Sequence, residues 1–120
     1  MTGQQTPKVT TADVTRIIIR DFGPDRSDEV TKILSAYGRE DWQQETPRVY
    51  LAILKLASGD LEKLRHETKI ACSDFRDVIS PAEYRRYAEI GWSASNPDKH
   101  AEERAMQEDW KEYQEWLNRR

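Results

Sequence analysis

The sequence lacks the features that mark secreted and membrane proteins. Its one cysteine, Cys72, cannot form a disulfide within the chain, which agrees with a reducing compartment. No apolar run approaches the roughly 18 residues that a membrane-spanning helix requires. Residues 1–9 are polar and do not contain the apolar stretch of a signal peptide. We therefore expect a cytoplasmic protein without a membrane partner.

Turn-forming residues and an excess of positive charge are also missing. Five glycines and five prolines in 120 residues are too few for the many turns of a β-sandwich or a β-barrel. Charged residues make up 34% of the chain and hydrophobic residues 37%, a balance that is typical of helices with wide solvated faces. The net charge is -3, whereas nucleic-acid-binding proteins usually carry positive charge to neutralise phosphates. The composition therefore predicts an all-α domain that does not bind nucleic acid.

The helix patterns predict a compact bundle of about five helices around one central helix. The helix over 47–58 starts with a capping threonine and a proline, and apolar residues cover most of its circumference, as in a buried helix. A connection of three residues, Ser58-Gly59-Asp60, follows it. So short a connection predicts an antiparallel αα-hairpin with the next helix, whose apolar face extends over 60–79.

Capping residues predict the other boundaries of the core. Thr10 precedes an aspartate by three residues and predicts a capped first helix, and a second helix is expected to end before Gly38. Ser80-Pro81 has the pattern of a capping box, so a further helix is expected over 81–91. Trp42 lies between the second and third helices, and its indole is expected to fold onto the core.

The composition of the chain changes towards its C-terminus. We predict a disordered tail at 1–9, a helical core domain at 10–92, a linker at 93–96 and a charged C-terminal segment at 97–120. Within that segment an amphipathic helix is expected over 97–118.

The apolar stripe of this last helix is thin and consists of Met106, Trp110, Tyr113 and Trp116. Tryptophan and tyrosine are enriched at binding hot spots, so these four residues are the candidate interaction surface. A helix this polar needs its apolar stripe covered, because packing supplies most helix stability in proteins. Two interpretations stay open: the helix docks on the first five helices, or it docks on a second copy of the chain or on another protein.

One stretch of the chain has a recognisable pattern. It contains Arg48 to Leu56 (RVYLAILKL), Gly59-Asp60-Leu61, Asp74 to Ile79 (DFRDVI) and Ala82-Glu83-Tyr84. This stretch resembles a group of small uncharacterised bacterial all-helical proteins with the pattern RVxLAxLKLxxGDLxxL followed by DYRDVLxxAEY. The match covers residues 46–85, and Phe75 stands where tyrosine is usual. The resemblance implies a helical fold and no particular activity.

A polar cluster is formed by Asp74, Arg76 and Asp77, which flank an aromatic residue on a helix whose apolar face is expected to be buried. One hypothesis is a small-molecule or partner site built from two carboxylates and a guanidinium. The other hypothesis is an ion-pair network, because the antiparallel hairpin is expected to bring Arg48 close to Asp74 or Asp77. We favour the ion-pair network.

Motifs for catalysis and for metal binding are absent from the sequence. His66-Glu67 begins like the zinc motif of metallopeptidases, but Ile70 occupies the position of the second histidine. Cys72 lies on the apolar face of its helix, which predicts a buried structural residue rather than a nucleophile. No Gly-rich phosphate loop and no nucleophile elbow occurs. We therefore predict no catalytic residue, no metal ligand and no cofactor.

The leading functional hypothesis is a non-enzymatic protein–protein interaction or self-association module, of which a homodimer is one form. In this hypothesis the partner contacts the helix over 97–118. The alternative is a small-molecule-binding protein or a small enzyme that uses the polar cluster with Tyr84 or Tyr87. Nucleic-acid binding ranks third, because the second helix of the hairpin opens with Asp60-Leu61-Glu62, whose negative charge would repel phosphates.

Overall fold

The computed structural model describes residues 7–93 and 99–119, and the regular elements in these two ranges are all helical. The helices are α1 (Thr11–Phe22), α2 (Ser27–Leu34), α3 (Thr46–Ala57), α4 (Leu61–Ser73), α5 (Arg76–Glu83), α6 (Arg85–Ser93) and α7 (Lys99–Asn118). The predicted all-α class is confirmed. Within the described ranges, no helix combines the length and the apolar character that crossing a membrane would need.

The two ends of the core domain border residues outside the described ranges. Of the predicted tail, residues 1–6 lie outside them, whereas Pro7 is buried and Val9 packs against the hydrophobic core. The predicted linker at 93–96 lies outside them except for Ser93, which ends α6.

The expected capping box of the first helix is confirmed, because Thr10 and Asp13 hydrogen-bond each other's backbone N–H groups.

Helix α3 lies at the centre of the bundle, as its composition predicts. It packs against α1, α4 and α5, so three sides of the helix are covered. The residues that it buries are Val49, Leu51, Ala52, Ile53, Leu54 and Ala57. These residues point in several directions around the axis of α3. Their apolar side chains are therefore buried only because other helices enclose α3 on several sides.

The predicted αα-hairpin between α3 and α4 is present, and glycine makes its turn possible. Gly59 has a φ of 80°, and a Cβ atom at this position would lie 3.0 Å from the carbonyl oxygen of Asp21 in α1. A side chain here would therefore meet both backbone strain and a steric contact. Asp60 then caps α4 by accepting hydrogen bonds from the backbone N–H groups of Glu62 and Lys63.

The single helix expected over 60–79 is two helices in the structure. Helix α4 ends at Ser73, and Asp74 has extended backbone angles, φ -157° and ψ 110°. One carboxylate oxygen of Asp74 accepts a hydrogen bond from the backbone N–H of Arg76 at 3.0 Å and so stabilises the start of α5. The short polar side chain of Asp74 can hydrogen-bond a nearby backbone N–H, which favours a break over a continuous helix. The apolar periodicity of the sequence continues beyond Asp74 and so does not reveal this break.

The boundary expected at Ser80-Pro81 was also wrong. Pro81 lies inside α5, and the helix ends instead at Glu83, before Tyr84, whose φ is -144° and whose ψ is 48°. Helix α6 then begins at Arg85. The cap of α6 comes from another part of the chain, which a local pattern does not reveal.

The group that caps α6 is the carboxylate of Asp109 in α7. Only 3% of this residue is exposed, and its two oxygens accept hydrogen bonds from the backbone N–H groups of Arg86 at 3.2 Å and Tyr87 at 3.1 Å. The Arg86 guanidinium adds a third donor at 3.1 Å. A negative charge at the N-terminus of a helix is favourable because free N–H groups and the helix dipole meet there. Asp109 therefore joins α7 to α6 in the interior.

The other end of α7 is joined to α1 by Arg20. Its guanidinium donates hydrogen bonds to the carbonyl oxygens of Trp116 at 2.6 Å and Arg119 at 2.8 Å, and lies 5.2 Å from the centre of the Trp116 ring. Tyr113, Trp116 and Leu117 are part of the hydrophobic core between these two attachments. In the structure, the last helix thus docks on the other helices of its own chain, which was the first of the two interpretations.

We expect Asp109→Asn to lower the free energy of unfolding by about 2 to 3 kcal/mol, because it removes the charge of a buried group that accepts three N–H donors. Urea denaturation followed by circular dichroism measures this change. Glu108→Gln is the matched control: Glu108 lies 3.6 Å from the same Arg86 guanidinium but is mostly exposed, so its loss is expected to cost less than about 0.5 kcal/mol. Equal effects of the two substitutions would show that Asp109 does not join the helices as described.

Candidate functional site

Asp74 and Arg76 of the predicted polar cluster form an exposed ion pair at the start of α5. The Arg76 guanidinium donates to both carboxylate oxygens of Asp74, at 3.0 Å and 2.9 Å. These hydrogen bonds hold the pKa of the Asp74 carboxyl below its usual value. Asp77 is exposed one residue further along the helix. Asp74 and Arg76 therefore satisfy each other's charges, and Asp74 also satisfies a backbone N–H at a helix terminus.

Arg48 does not join this cluster, which corrects the expected pair with Asp74 or Asp77. Its guanidinium instead contacts both oxygens of Glu83, at 2.9 Å and 2.7 Å. Because the chain turns at Asp74, the C-terminal end of α5 comes to lie beside the start of α3. Burial raises the pKa of Glu83, and the hydrogen bonds from Arg48 oppose that shift. The pair is mostly buried and connects two helices.

The four residues of the predicted interaction stripe are divided between the core and its edge. Tyr113 and Trp116 are buried, and their rings contact each other at 5.5 Å between centroids. Met106 and Trp110 are half-buried. The hydroxyl of Tyr113 is buried and has no hydrogen-bond partner among residues 7–93 and 99–119. Burial raises the pKa of this hydroxyl.

An exposed tryptophan lies elsewhere, in the loop between α2 and α3. Trp42 is 47% exposed, which overturns the expectation that its indole folds onto the core. The indole and the buried Tyr37 ring meet edge to face, with 6.4 Å between the centroids. Among the described residues, Ile19 is the other large hydrophobic side chain that is strongly exposed, at 44%.

The loop that carries Trp42 is held by a buried glutamine. The side-chain oxygen of Gln43 accepts hydrogen bonds from three successive backbone N–H groups: Gly38 at 2.8 Å, Arg39 at 2.8 Å and Glu40 at 3.0 Å. Successive N–H groups that converge in this way form a concave site for one oxygen, and the chain fills that site itself. The loop conformation is therefore specified by internal hydrogen bonds.

Two tyrosines extend this support towards the core. The Tyr37 hydroxyl donates to the carbonyl oxygen of Gln44 at 3.1 Å, and the Tyr50 hydroxyl donates to the carbonyl oxygen of Tyr37 at 2.8 Å. The Tyr37 and Tyr50 rings also meet edge to face, with 6.4 Å between centroids. Trp42 is thus attached through Tyr37 to Tyr50 of the central helix α3.

Beside Tyr50, an apolar cleft opens between α1, α2 and the start of α3. Its volume is about 150 Å³. The apolar residues that line it are Val14, Ile18, Leu34, Pro47 and Tyr50, and four threonines complete the lining. We call this cleft and the exposed indole of Trp42 together the Trp42 surface. The exposed Trp42 ring is linked to the cleft through Tyr37, which contacts both Trp42 and the cleft residue Tyr50.

The described residues give less support for a metal site or a catalytic site than for the Trp42 surface. Within residues 7–93 and 99–119, no three side chains of the histidine, cysteine, aspartate or glutamate type are grouped so that they could hold a metal ion. Cys72 is half-buried, and burial raises the pKa of its thiol, which opposes formation of the reactive thiolate.

Comparisons of the chain with protein-family models, with curated proteins and with solved structures find no match. The resemblance to small bacterial helical proteins stays a prediction. The site is therefore argued from the geometry of this chain alone.

We expect Tyr113→Phe to raise the free energy of unfolding by about 1 kcal/mol, because it removes a buried hydroxyl whose hydrogen-bonding capacity is unused. Tyr37→Phe is the matched control, since the Tyr37 hydroxyl has a partner, and we expect it to lower the free energy by about 1 kcal/mol. Urea denaturation of both variants tests the pair. A destabilised Tyr113→Phe variant would mean that this hydroxyl is hydrogen-bonded in solution.

Proposed function

We propose that this chain is a cytoplasmic, non-enzymatic protein-interaction module that binds its partner through the Trp42 surface. The observation that carries the proposal is the exposed indole of Trp42 on a loop held by Gln43. Tryptophan is among the residues most enriched at binding hot spots. A side chain on a loop that is already ordered loses little further freedom on binding, so more of its contact energy contributes to affinity.

The stripe of the C-terminal helix supports the proposal less well than the Trp42 surface does. Tyr113 and Trp116 are used by the core of the chain itself, so a partner could reach them only after α7 had separated. Met106 and Trp110 remain half-buried at the edge of α7. We therefore assign the contact to the α2–α3 end of the bundle and give α7 a structural role.

The partner in this proposal is another protein or a second copy of the chain, rather than nucleic acid. A small-molecule site at Asp74, Arg76 and Asp77 has weaker support, because Asp74 and Arg76 satisfy each other's charges. The apolar lining of the cleft and the exposed indole instead suit the hydrophobic anchor of a protein interface.

We expect a photo-crosslinking residue at position 42 to give discrete protein adducts in cells. The substitution is Trp42→p-benzoylphenylalanine, and the matched control is the same residue at position 19, where Ile19 is exposed to a similar extent. Adducts are detected by electrophoresis and mass spectrometry. An adduct of two copies of the chain would identify the self-association form of the module.

Specificity in this experiment is tested by competition. Excess unlabelled wild-type chain is expected to remove the adducts, whereas excess Trp42→Ala chain is expected to leave them. The proposal fails if positions 42 and 19 give the same adducts, or if both competitors act equally.

A further inference from the structure

The charges next to Trp42 indicate what kind of partner segment fits this surface. Glu40 and Asp41 directly precede it, are exposed, and have no ion-pair partner within 4 Å in the part of the chain that the structure describes. The nearest cation in sequence, Arg39, directs its Nε towards the carbonyl oxygen of Ser35 at the end of α2, 3.3 Å away. In sequence, Trp42 therefore directly follows two exposed carboxylates that have no ion-pair partner among the described residues.

An indole face and carboxylates favour the same type of ligand. Lysine and arginine side chains bind over tryptophan rings through the ring quadrupole, and they also form charge-assisted hydrogen bonds with carboxylates. An acidic or phosphorylated segment would meet like charge at this position. A third carboxylate, Glu45, lies further along the loop and is shared with Arg48 at 3.3 Å.

The neighbouring cleft favours a second, different side chain. Its volume of about 150 Å³ is close to that of the apolar cavities that hold a benzene-sized group in other proteins. Carbon atoms of Val14, Ile18 and Leu34 line it, and no charged residue does. A leucine or phenylalanine side chain matches both its size and its polarity.

The ring contacts set an upper limit on the spacing of the segment. Two successive ring contacts of 6.4 Å each, from Trp42 to Tyr37 and from Tyr37 to Tyr50, place the Trp42 and Tyr50 rings at most about 13 Å apart. An extended chain advances about 3.3 Å per residue. The two side chains would therefore be at most about four residues apart in an extended segment.

We propose that the Trp42 surface binds an extended basic segment of another protein, with a lysine or arginine over Trp42 beside Glu40 and Asp41, and an apolar side chain in the cleft. This inference rests on the proposed function and adds the chemistry of the partner. It predicts a binding motif of one basic and one large apolar residue at most about four positions apart.

The motif is tested with purified full-length chain on an array of nine-residue peptides. Each peptide has one arginine and one leucine, at separations from one to seven residues, in a glycine–serine background. A second set has glutamate in place of arginine. We expect binding to be strongest at a separation of four residues or fewer, and at least tenfold weaker for every glutamate peptide.

Variants of the chain show which residues produce this preference. The double substitution Glu40→Gln with Asp41→Asn is expected to weaken binding of the best arginine peptide about tenfold. The matched control, Asp25→Asn with Asp28→Asn, changes the net charge equally at two other exposed aspartates and is expected to weaken it twofold at most.

The contribution of the cleft is tested by filling it. Thr15→Phe places a ring at the edge of the cleft and is expected to weaken binding at least fivefold. Ala12→Phe adds the same ring on α1 at an exposed position outside the lining and is expected to have no effect. Circular dichroism of each variant confirms that its helices remain folded.

The inference is overturned if the glutamate peptides bind as well as the arginine peptides, or if no peptide in the array binds. It is also overturned if the control variant at Asp25 and Asp28 weakens binding as much as the variant at Glu40 and Asp41. Adducts specific to position 42 together with any of these results would leave the proposed function standing and reject a basic partner. Loss of those adducts would reject both.

Discussion

The buried carboxylate of Asp109 is the interaction on which the arrangement of the C-terminal half depends. A charge with only 3% exposure is tolerated because two backbone N–H groups and the Arg86 guanidinium donate to it. These bonds place α7 against α6, and Arg20 places the other end of α7 against α1. With both ends attached, Tyr113, Trp116 and Leu117 complete the core. The last helix is therefore part of the fold and not an independent arm.

The buried and the exposed aromatic residues lie in different parts of the molecule. Tyr113 and Trp116 of α7 are buried, so they contribute chiefly to packing, which is where burial has its largest effect on free energy. Trp42 is exposed and contacts the Tyr37 ring, and its loop is fixed by Gln43, Tyr37 and Tyr50. The chain thus has an ordered, partly apolar surface at the α2–α3 end whose exposed side chain the core does not use.

Local patterns predicted the parts of the fold that depend on neighbours in sequence. The all-round apolar composition of α3 predicted its central position, and Thr10 predicted the start of α1. The errors arose where distant groups decide the outcome: Asp109 caps α6 from α7, and Glu83 rather than Asp74 or Asp77 pairs with Arg48. The exposure of Trp42 was missed for a different, local reason. The loop that carries it is held by the adjacent Gln43, which accepts three backbone N–H groups, and such an arrangement leaves no periodic pattern in the sequence.

Native-state hydrogen exchange tests most directly whether α7 belongs to the core. The backbone amides of residues 109–117 in α7 and of residues 51–57 in α3 are compared in the full-length chain across a series of low denaturant concentrations. If α7 is an integral part of the bundle, both groups should exchange through the same global unfolding, with opening free energies that agree within about 1 kcal/mol. Exchange of the α7 amides through a much smaller local opening, independent of denaturant, would contradict this account and return the helix to the role of a detachable arm.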